Sequence, residues 1–386
     1  MAKKKKVRVD MRKNRSKPPR QQGWTRGFQE HGFAEEATTP NERVRAKGDL
    51  SRRRTIVQEE APGPAGAAPA EMPAVDSAAW QAGRVLRVHR LFSVVETEDG
   101  RQYRCAVRRL LRTLATDERN IVTTGDRVWF RLATSGAEAA AEGHDGFIER
   151  VEPRHGLLKR ASRGREQVLV ANVDQVVFVV SLLEPELKPH LIDRYLCSAA
   201  QGGIRPLLCL NKVDLADPAT FQPLVGLYSQ LGVPALLTSA TSGAGIAALR
   251  ERLRGRQTVF TGQSGVGKSS LLNAVEPGLG LRVREVSEVN QKGKHTTTGS
   301  ELIRLGFGGW VVDTPGVRQF ELWDTLPEEV EGYFAEFRPF VHRCAYPDCT
   351  HTHEDRCAVK RAALKRQISA SRYTSYLGLF QGESAG

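Results

Sequence analysis

Gly262-Gln263-Ser264-Gly265-Val266-Gly267-Lys268-Ser269 spells G-x-x-x-x-G-K-S. Its glycines let backbone N–H groups wrap a phosphate chain, Lys268 brings a point charge to the β and γ phosphates, and the hydroxyl of Ser269, beside Ser270, suits Mg²⁺. An apolar strand, Thr258-Val259-Phe260, precedes the loop, and the residues from Ser269 to Val275 can continue as a helix whose N-terminus faces the anion. Asp313-Thr314-Pro315-Gly316 has the D-x-x-G form, in which the Asp reaches Mg²⁺ through water and the Gly N–H meets the γ phosphate. Asn211-Lys212-Val213-Asp214 reads the base. A carboxylate at Asp214 accepts from both N1–H and the exocyclic amine of guanine, a donor pair adenine lacks. Lys212 can lie over the ring, and Asn211 can brace the loop or contact the base. Thr238-Ser239-Ala240 falls where a backbone N–H toward guanine O6 is needed. The four loops together specify GTP over ATP.

Gly293-Lys294-His295-Thr296-Thr297-Thr298 lies between the phosphate loop and D-x-x-G, the place of a first switch. Thr297 is the hydroxyl expected to complete the Mg²⁺ shell. Val317 follows Gly316, where many GTPases keep a glutamine that orients the attacking water; valine cannot do so. Hydrolysis is therefore expected to be slow alone and to need a partner or another side chain, with His295 the candidate within the chain. The alternative is a switch histidine that packs or touches RNA. Near the C-terminus, Cys344, Cys349, His351, His353 and Cys357 offer three thiolates and two imidazoles in one short loop. Structural Zn²⁺ takes four such donors, and Cys₃His is one of its sets.

The elements that must position these residues are legible in the surrounding pattern. From Val168 strands alternate with helices: QVVFVVSLL, the helical LIDRYLCSAAQ, PLLCL, a helical stretch near 220 to 231, PALLTSA, the helix IAALRERL and TVF. This is the grammar of an α/β unit with a buried parallel sheet, whose ligands sit outside the carboxyl ends of the strands. The motifs follow PLLCL, PALL, TVF and WVV, each at such an end. Their order is permuted, since N-K-x-D and T-S-A precede the phosphate loop and D-x-x-G. A site assembled from loops at one sheet edge tolerates that, and here the γ-phosphate-sensing segment leads directly to the C-terminal domain.

Residues 79–155 carry about five short alternating strands with turn signals, a pattern that fits a small OB-type barrel. Residues 61–78 read as a Pro/Ala linker, and residues 1–60 as a basic tail expected to stay unfolded. The tail holds the charge. Residues 1–54 have 17 Lys and Arg against 6 Asp and Glu, whereas the remainder has 40 against 38. Such a tail is either a solvated extension or a nucleic-acid contact, and counterion release favours the latter. Residues 156–322 form the nucleotide domain and 323–386 a small α-rich zinc domain, where Val359, Ala362 and Ala363 mark an apolar helix face beside Lys360, Arg361, Lys365 and Arg366. Cys105, Cys197 and Cys209 lie in apolar patterns and read as core. No apolar run of membrane-spanning length and no apolar stretch behind the basic start is present, so a cytoplasmic protein is expected.

This loop order, with Leu169-Val170-Ala171-Asn172-Val173-Asp174-Gln175, GQSGVGKSS, GKHTTT, DTPG and the barrel's GDRV at 125–128, resembles the ribosome small subunit-dependent GTPase A family of circularly permuted GTPases. The resemblance covers residues from about 80 to about 377; the basic tail and linker depart from it. It implies a GTPase with low intrinsic rate that assists late maturation of the small (30S) ribosomal subunit, is stimulated by that subunit, binds 16S rRNA and leaves on hydrolysis to GDP. It also implies His295 as the water-positioning residue and His351 as the fourth zinc ligand with His353 spare; no coiled-coil pattern or extra hydrophobic patch is present, so a monomer is expected. GTP would order residues 287–298 and 313–320 around Mg²⁺ and set the flanking domains as a clamp on rRNA. The rival readings are a nucleic-acid-binding module with incidental turnover and a P-loop ATPase or small-molecule kinase, the latter opposed by Asn211 to Asp214.

Overall fold

The structure, a computed structural model, describes residues 4–10, 53–61, 70–73, 75–89, 91–108, 111, 121–133, 143–162, 165–181, 183, 185–279, 300–313 and 327–382. Within the tail expected to stay unfolded, β1 (Lys4–Asp10) and β2 (Arg53–Ala61) pair antiparallel, and β2 pairs with β3 (Ala70–Pro73) inside the expected linker. This corrects the expectation for those segments. Alternation at Val7 and Val9 and the β-branched run Thr55-Ile56-Val57 favour strand locally, a signal that net charge conceals.

Five strands close a barrel: β4 (Gln81–Val88), β5 (Ser93–Glu96), β6 (Gln102–Val107), β7 (Arg127–Leu132) and β8 (Gly146–Val151). Their order is β4-β5-β6-β8-β7, with β7 pairing back onto β4. Alternation sorts their side chains. Val85, Val95, Cys105, Val128, Phe130 and Ile148 fill the inside, while Leu86 and Val94 face outward into the core of the neighbouring sheet.

A hairpin of β9 (Leu158–Ser162) and β10 (Arg165–Val170) leads into the main sheet. The sheet comprises β11 (Gln175–Ser181), β12 (Arg205–Asn211), β13 (Ala235–Leu237), β14 (Gln257–Thr261), β15 (Glu301–Arg304) and β16 (Trp310–Asp313), in the order β13-β12-β11-β14-β16-β15. All but β15 run parallel. Helices cover both faces: α1 (Pro189–Gln201) and α2 (Gln222–Gln230) on one, α3 (Ile246–Leu253) and α4 (Lys268–Val275) on the other. The central strand shows why the fold is two-sided. All seven residues of β11 are buried, Val176, Phe178 and Val180 toward the first pair of helices and Val177 and Val179 toward the second. At about 1.5–3 kcal/mol for each buried apolar side chain, the central strand alone rewards this layering.

The C-terminal helices α5 (Pro327–Tyr333), α6 (Arg338–Val341), α7 (Ala358–Leu364) and α8 (Ala370–Phe380) enclose their own core of Val330, Phe334, Phe337 and Tyr376. They dock on α1. That helix turns Ile192, Tyr195 and Ala199 to the sheet and Cys197 to the C-terminal core. At the contact Arg372, 3% exposed, reaches Asp193, 1% exposed, at 2.9 Å and Glu336 at 2.6 Å, while Tyr228 donates to Asp193 at 2.6 Å. Cys105, Cys197 and Cys209 are buried, and burial pushes each thiol up to about 12. Among the described residues no helix is long and apolar enough to cross a membrane.

Candidate functional site

Because β12, β13, β14 and β16 are parallel, the four loops that carry the motifs leave the same edge of the sheet. The phosphate loop leaves β14 and enters α4 at Gly267, whose φ of +88° suits glycine. A Cβ there would stand 2.6 Å from Asn211 Nδ2, so this position also needs a residue without one. Lys268 Nζ donates to the carbonyls of Gly262 at 2.8 Å and Gln263 at 2.6 Å, which keeps the ammonium within the arc of the loop. Ser264 is exposed, Val266 is buried beneath the loop, and Gly265 has a positive φ of +83°. Ser269 and Ser270 occupy the first turn of α4, beside the amides that favour an anion.

The Asn211-to-Asp214 loop is tied to the 262–269 loop through Asn211. Asn211, buried at the end of β12, donates through Nδ2 to the Val266 carbonyl at 2.8 Å. Of the two roles open to Asn211, bracing is the one its contacts show. Thr238 holds Asn211 in turn, with its Oγ1 3.2 Å from Asn211 Oδ1, 3.4 Å from the Leu210 carbonyl and 3.1 Å from Cys209 Sγ. Lys212 adopts φ +62° and opens the turn Val213–Leu215, which presents Asp214. The Asp214 carboxylate is exposed and has no side-chain partner among the described residues. Ser239 Oγ accepts from the amides of Thr241 and Ser242, folding the T-S-A loop into a turn, and the neighbouring Ala240 N–H has no backbone partner among the described residues. The Asp313 backbone closes β16 opposite Glu301 of β15. The side chain of Asp313, together with Gly316, Val317, His295 and Thr297, lies outside the described residues.

Cys344, Cys349, His351 and Cys357 converge, with all four donor atoms within 4.8 Å of one another. Sulfurs on a tetrahedral Zn²⁺, at about 2.3 Å from the metal, stand about 3.8 Å apart. Here Cys344 and Cys357 Sγ are 3.9 Å apart, and His351 Nδ1 lies 3.3 Å from Cys357 and 3.6 Å from Cys344. The donor set therefore fits a tetrahedral soft-ligand metal. Burial, then the Cys357 and Cys344 thiols beside it, pushes Cys349 up to about 12, so a cation is what makes this group a thiolate. His351 is buried with φ +59°, whereas His353 is 82% exposed and points away from the donors. Glu331 Oε2 sits 3.1 Å from His351 Nε2 and orients the ring, a supporting contact that no spacing in the sequence marks. Tyr373 and Tyr376 donate to the carbonyls of His351 and Thr350, both at 2.7 Å, fastening the loop to α8.

A junction that no spacing in the sequence marks joins the barrel to the main sheet. GDRV and the Leu169-to-Gln175 stretch, signatures of separate segments, touch each other. Asn172, at φ +59°, donates to the Gly125 carbonyl at 3.0 Å and accepts from the His155 amide at 3.2 Å. Thr124 bridges Val170, and Gln257 at the foot of β14 donates to the Ala171 carbonyl at 2.8 Å. Arg154 pairs with Asp126 through two bonds of 2.8 and 2.9 Å.

A family model described as RsgA GTPase matches residues 151–323. The small ribosomal subunit biogenesis GTPase RsgA of Chlorobaculum parvum is 41% identical over 305 residues, covering 77% of this chain and 96% of that protein. The crystal structure of YjeQ from Thermotoga maritima aligns with a TM-score of 0.63 at 36% identity, over 78% of this chain and 98% of the other. That of YloQ, described as a circularly permuted GTPase, gives 0.58 at 27% identity, over 78% and 94%.

Proposed function

This chain belongs to the RsgA GTPase family, and from that premise we propose that it hydrolyses GTP as an assembly factor in late maturation of the small (30S) ribosomal subunit, binding 16S rRNA and leaving on hydrolysis. The observation that carries the nucleotide choice is the edge where four parallel-strand loops meet, with an exposed Asp214 carboxylate and the Ala240 N–H beside a phosphate loop braced by Asn211. Asp214 takes guanine N1–H and its amine, Ala240 donates to O6, and Lys212 lies along the ring. The phosphate chain is wrapped by the amides of residues 262–268, and Lys268 turns from its two carbonyls to the β and γ phosphates. Mg²⁺ would be held by Ser269 and Thr297, with Asp313 through water, and supplies charge neutralisation at the phosphates. His295 positions the attacking water that Val317 cannot, and Gly316 senses the γ phosphate.

Cys344, Cys349, His351 and Cys357 would hold one structural Zn²⁺, which fixes the C-terminal unit. The five-stranded barrel is of OB type and, with the zinc unit and the basic tail, meets rRNA, while the protein works as a cytoplasmic monomer. Docking on the subunit completes the hydrolytic site, so turnover and release are linked. The test is the GTP hydrolysis rate with and without purified small subunits across a salt series. Stimulation that fades as salt rises is expected; a rate indifferent to subunits sinks the reading.

A further inference from the structure

A cleft of about 920 Å³ opens where the barrel meets the main sheet, away from the motif loops. Its floor is the outer face of three barrel strands, and their register sets the side chains in two rows. β4 pairs Arg84 with Glu96 on one side and with Arg127 on the other, and pairs Ala82 with Trp129. Side chains two apart share a face. One row is therefore Glu96, Arg84 and Arg127; the next sets Ala82 beside Trp129, with Glu98, in the turn after β5, on the rim. Arg304 and Trp310 of the main sheet and His155 of the connecting segment complete the walls.

The charges in this cleft are unevenly satisfied. Glu96 is bound to Arg304 at 3.0 Å, and Glu152 accepts the Trp129 indole N–H at 2.7 Å. Arg84 has a neutral amide, Gln257 Oε1 at 3.2 Å, and lies 3.9 Å over the Trp310 ring. Among the described residues neither Arg84 nor Arg127 forms an ion pair, although they stand on adjacent strands. Burial, and then the Arg127 charge, lowers the Arg84 guanidinium to about 10 against the smaller opposing pull of Asp174 and Glu96. Glu96, the carboxylate across from Arg84, is taken up by Arg304, so the adjacent Arg84 and exposed Arg127 keep donors for an added anion. One residue pair along β7, about 7 Å away, the Trp129 indole lies next to the gap left by the Ala82 methyl. Glu98, on the rim of the cleft, disfavours phosphate at that edge.

We infer that this cleft is a second nucleotide site, separate from the GTP pocket, in which Arg84 and Arg127 bind a phosphate and Trp129 stacks on the base over Ala82. Phosphate and planar ring about one strand repeat apart are what a nucleotide unit presents, free or unpaired within an RNA strand. Aromatic stacking makes the site tolerant of base identity. The inference goes beyond the proposed function and does not depend on it.

Two substitutions at exposed positions test the site in the full chain with GDP saturating the GTP pocket. Arg127→Ala removes a phosphate partner, and Ala82→Phe fills the gap beside Trp129. The probes are AMP, followed by calorimetry, and a fluorescein-labelled single-stranded hexaribonucleotide, followed by anisotropy; thermal melting checks that the variants fold. Wild-type binding of at least one probe, weakened about tenfold by each substitution, is the expected result. A strand that binds much more tightly than AMP identifies an RNA segment as the occupant, and equal affinities identify a free nucleotide. Absence of binding by both probes, or wild-type binding by both variants, overturns the site. Because GDP fills the GTP pocket throughout, that failure leaves subunit-stimulated hydrolysis to be judged on its own.

Discussion

Asp214 and Lys268, the proposed readers of base and phosphate, stand in different surroundings. Asp214 stands exposed on a short turn, so it keeps both carboxylate oxygens for a ligand. Asp214→Ala should cost guanine nucleotides about 3 kcal/mol, roughly a hundredfold in Kd, while leaving ATP affinity where it was. Calorimetry with GDP and ADP checks this, and equal losses for the two would contradict it. Lys268 instead holds two carbonyls of its own loop. Lys268→Ala should abolish measurable triphosphate binding yet keep one equivalent of zinc per chain, which atomic absorption reads. Much of this was legible in the sequence, because fixed spacing carries the phosphate loop and the base reader. The Thr238 hydroxyl on Asn211 and the Glu331 contact with His351 were not, since each joins residues whose proximity only the folded chain creates.

Elements were readable where one physical signal dominated. The continuous apolar run of β11 announced a strand buried on both faces, and the spacing Ile192, Tyr195, Ala199 announced α1. β15 escaped notice because four residues give no usable period, and the β9–β10 hairpin because its alternation is interrupted by charge. The barrel junction was illegible for a different reason: its contacts use small residues and backbone. Gly125 has φ +91°, and a Cβ there would lie 2.2 Å from the Ala171 carbonyl. Gly125→Ala should therefore destabilise the barrel–sheet unit by about 2–4 kcal/mol, as strain and clash combine. Urea unfolding followed by tryptophan fluorescence measures it. At the opposite flank, Arg372→Ala would leave Asp193 buried without its cation, at a cost of about 3–5 kcal/mol. Adding Asp193→Asn to that variant should recover part of the loss, and a simply additive pair in the same unfolding assay would refute the coupling.

At the scale of the molecule, the nucleotide sheet is gripped from two sides. The barrel reaches it through Asn172 and Gln257, and the C-terminal helical unit reaches it through α1. Removing metal with a chelator should loosen α7, whose first turn is capped by Cys357, and the loop pinned to α8. Hydrogen exchange should show those amides losing protection while β11, β12 and β14 retain theirs and GDP still binds; a global collapse would show that the C-terminal unit holds up the whole sheet. The permuted loop order bears on biosynthesis as well. A ribosome translating this message extrudes the barrel and Asp214 before residues 262–268. On the proposed roles, base selection would be in place ahead of phosphate binding, and nucleotide capture would wait until β14 and α4 have left the exit tunnel.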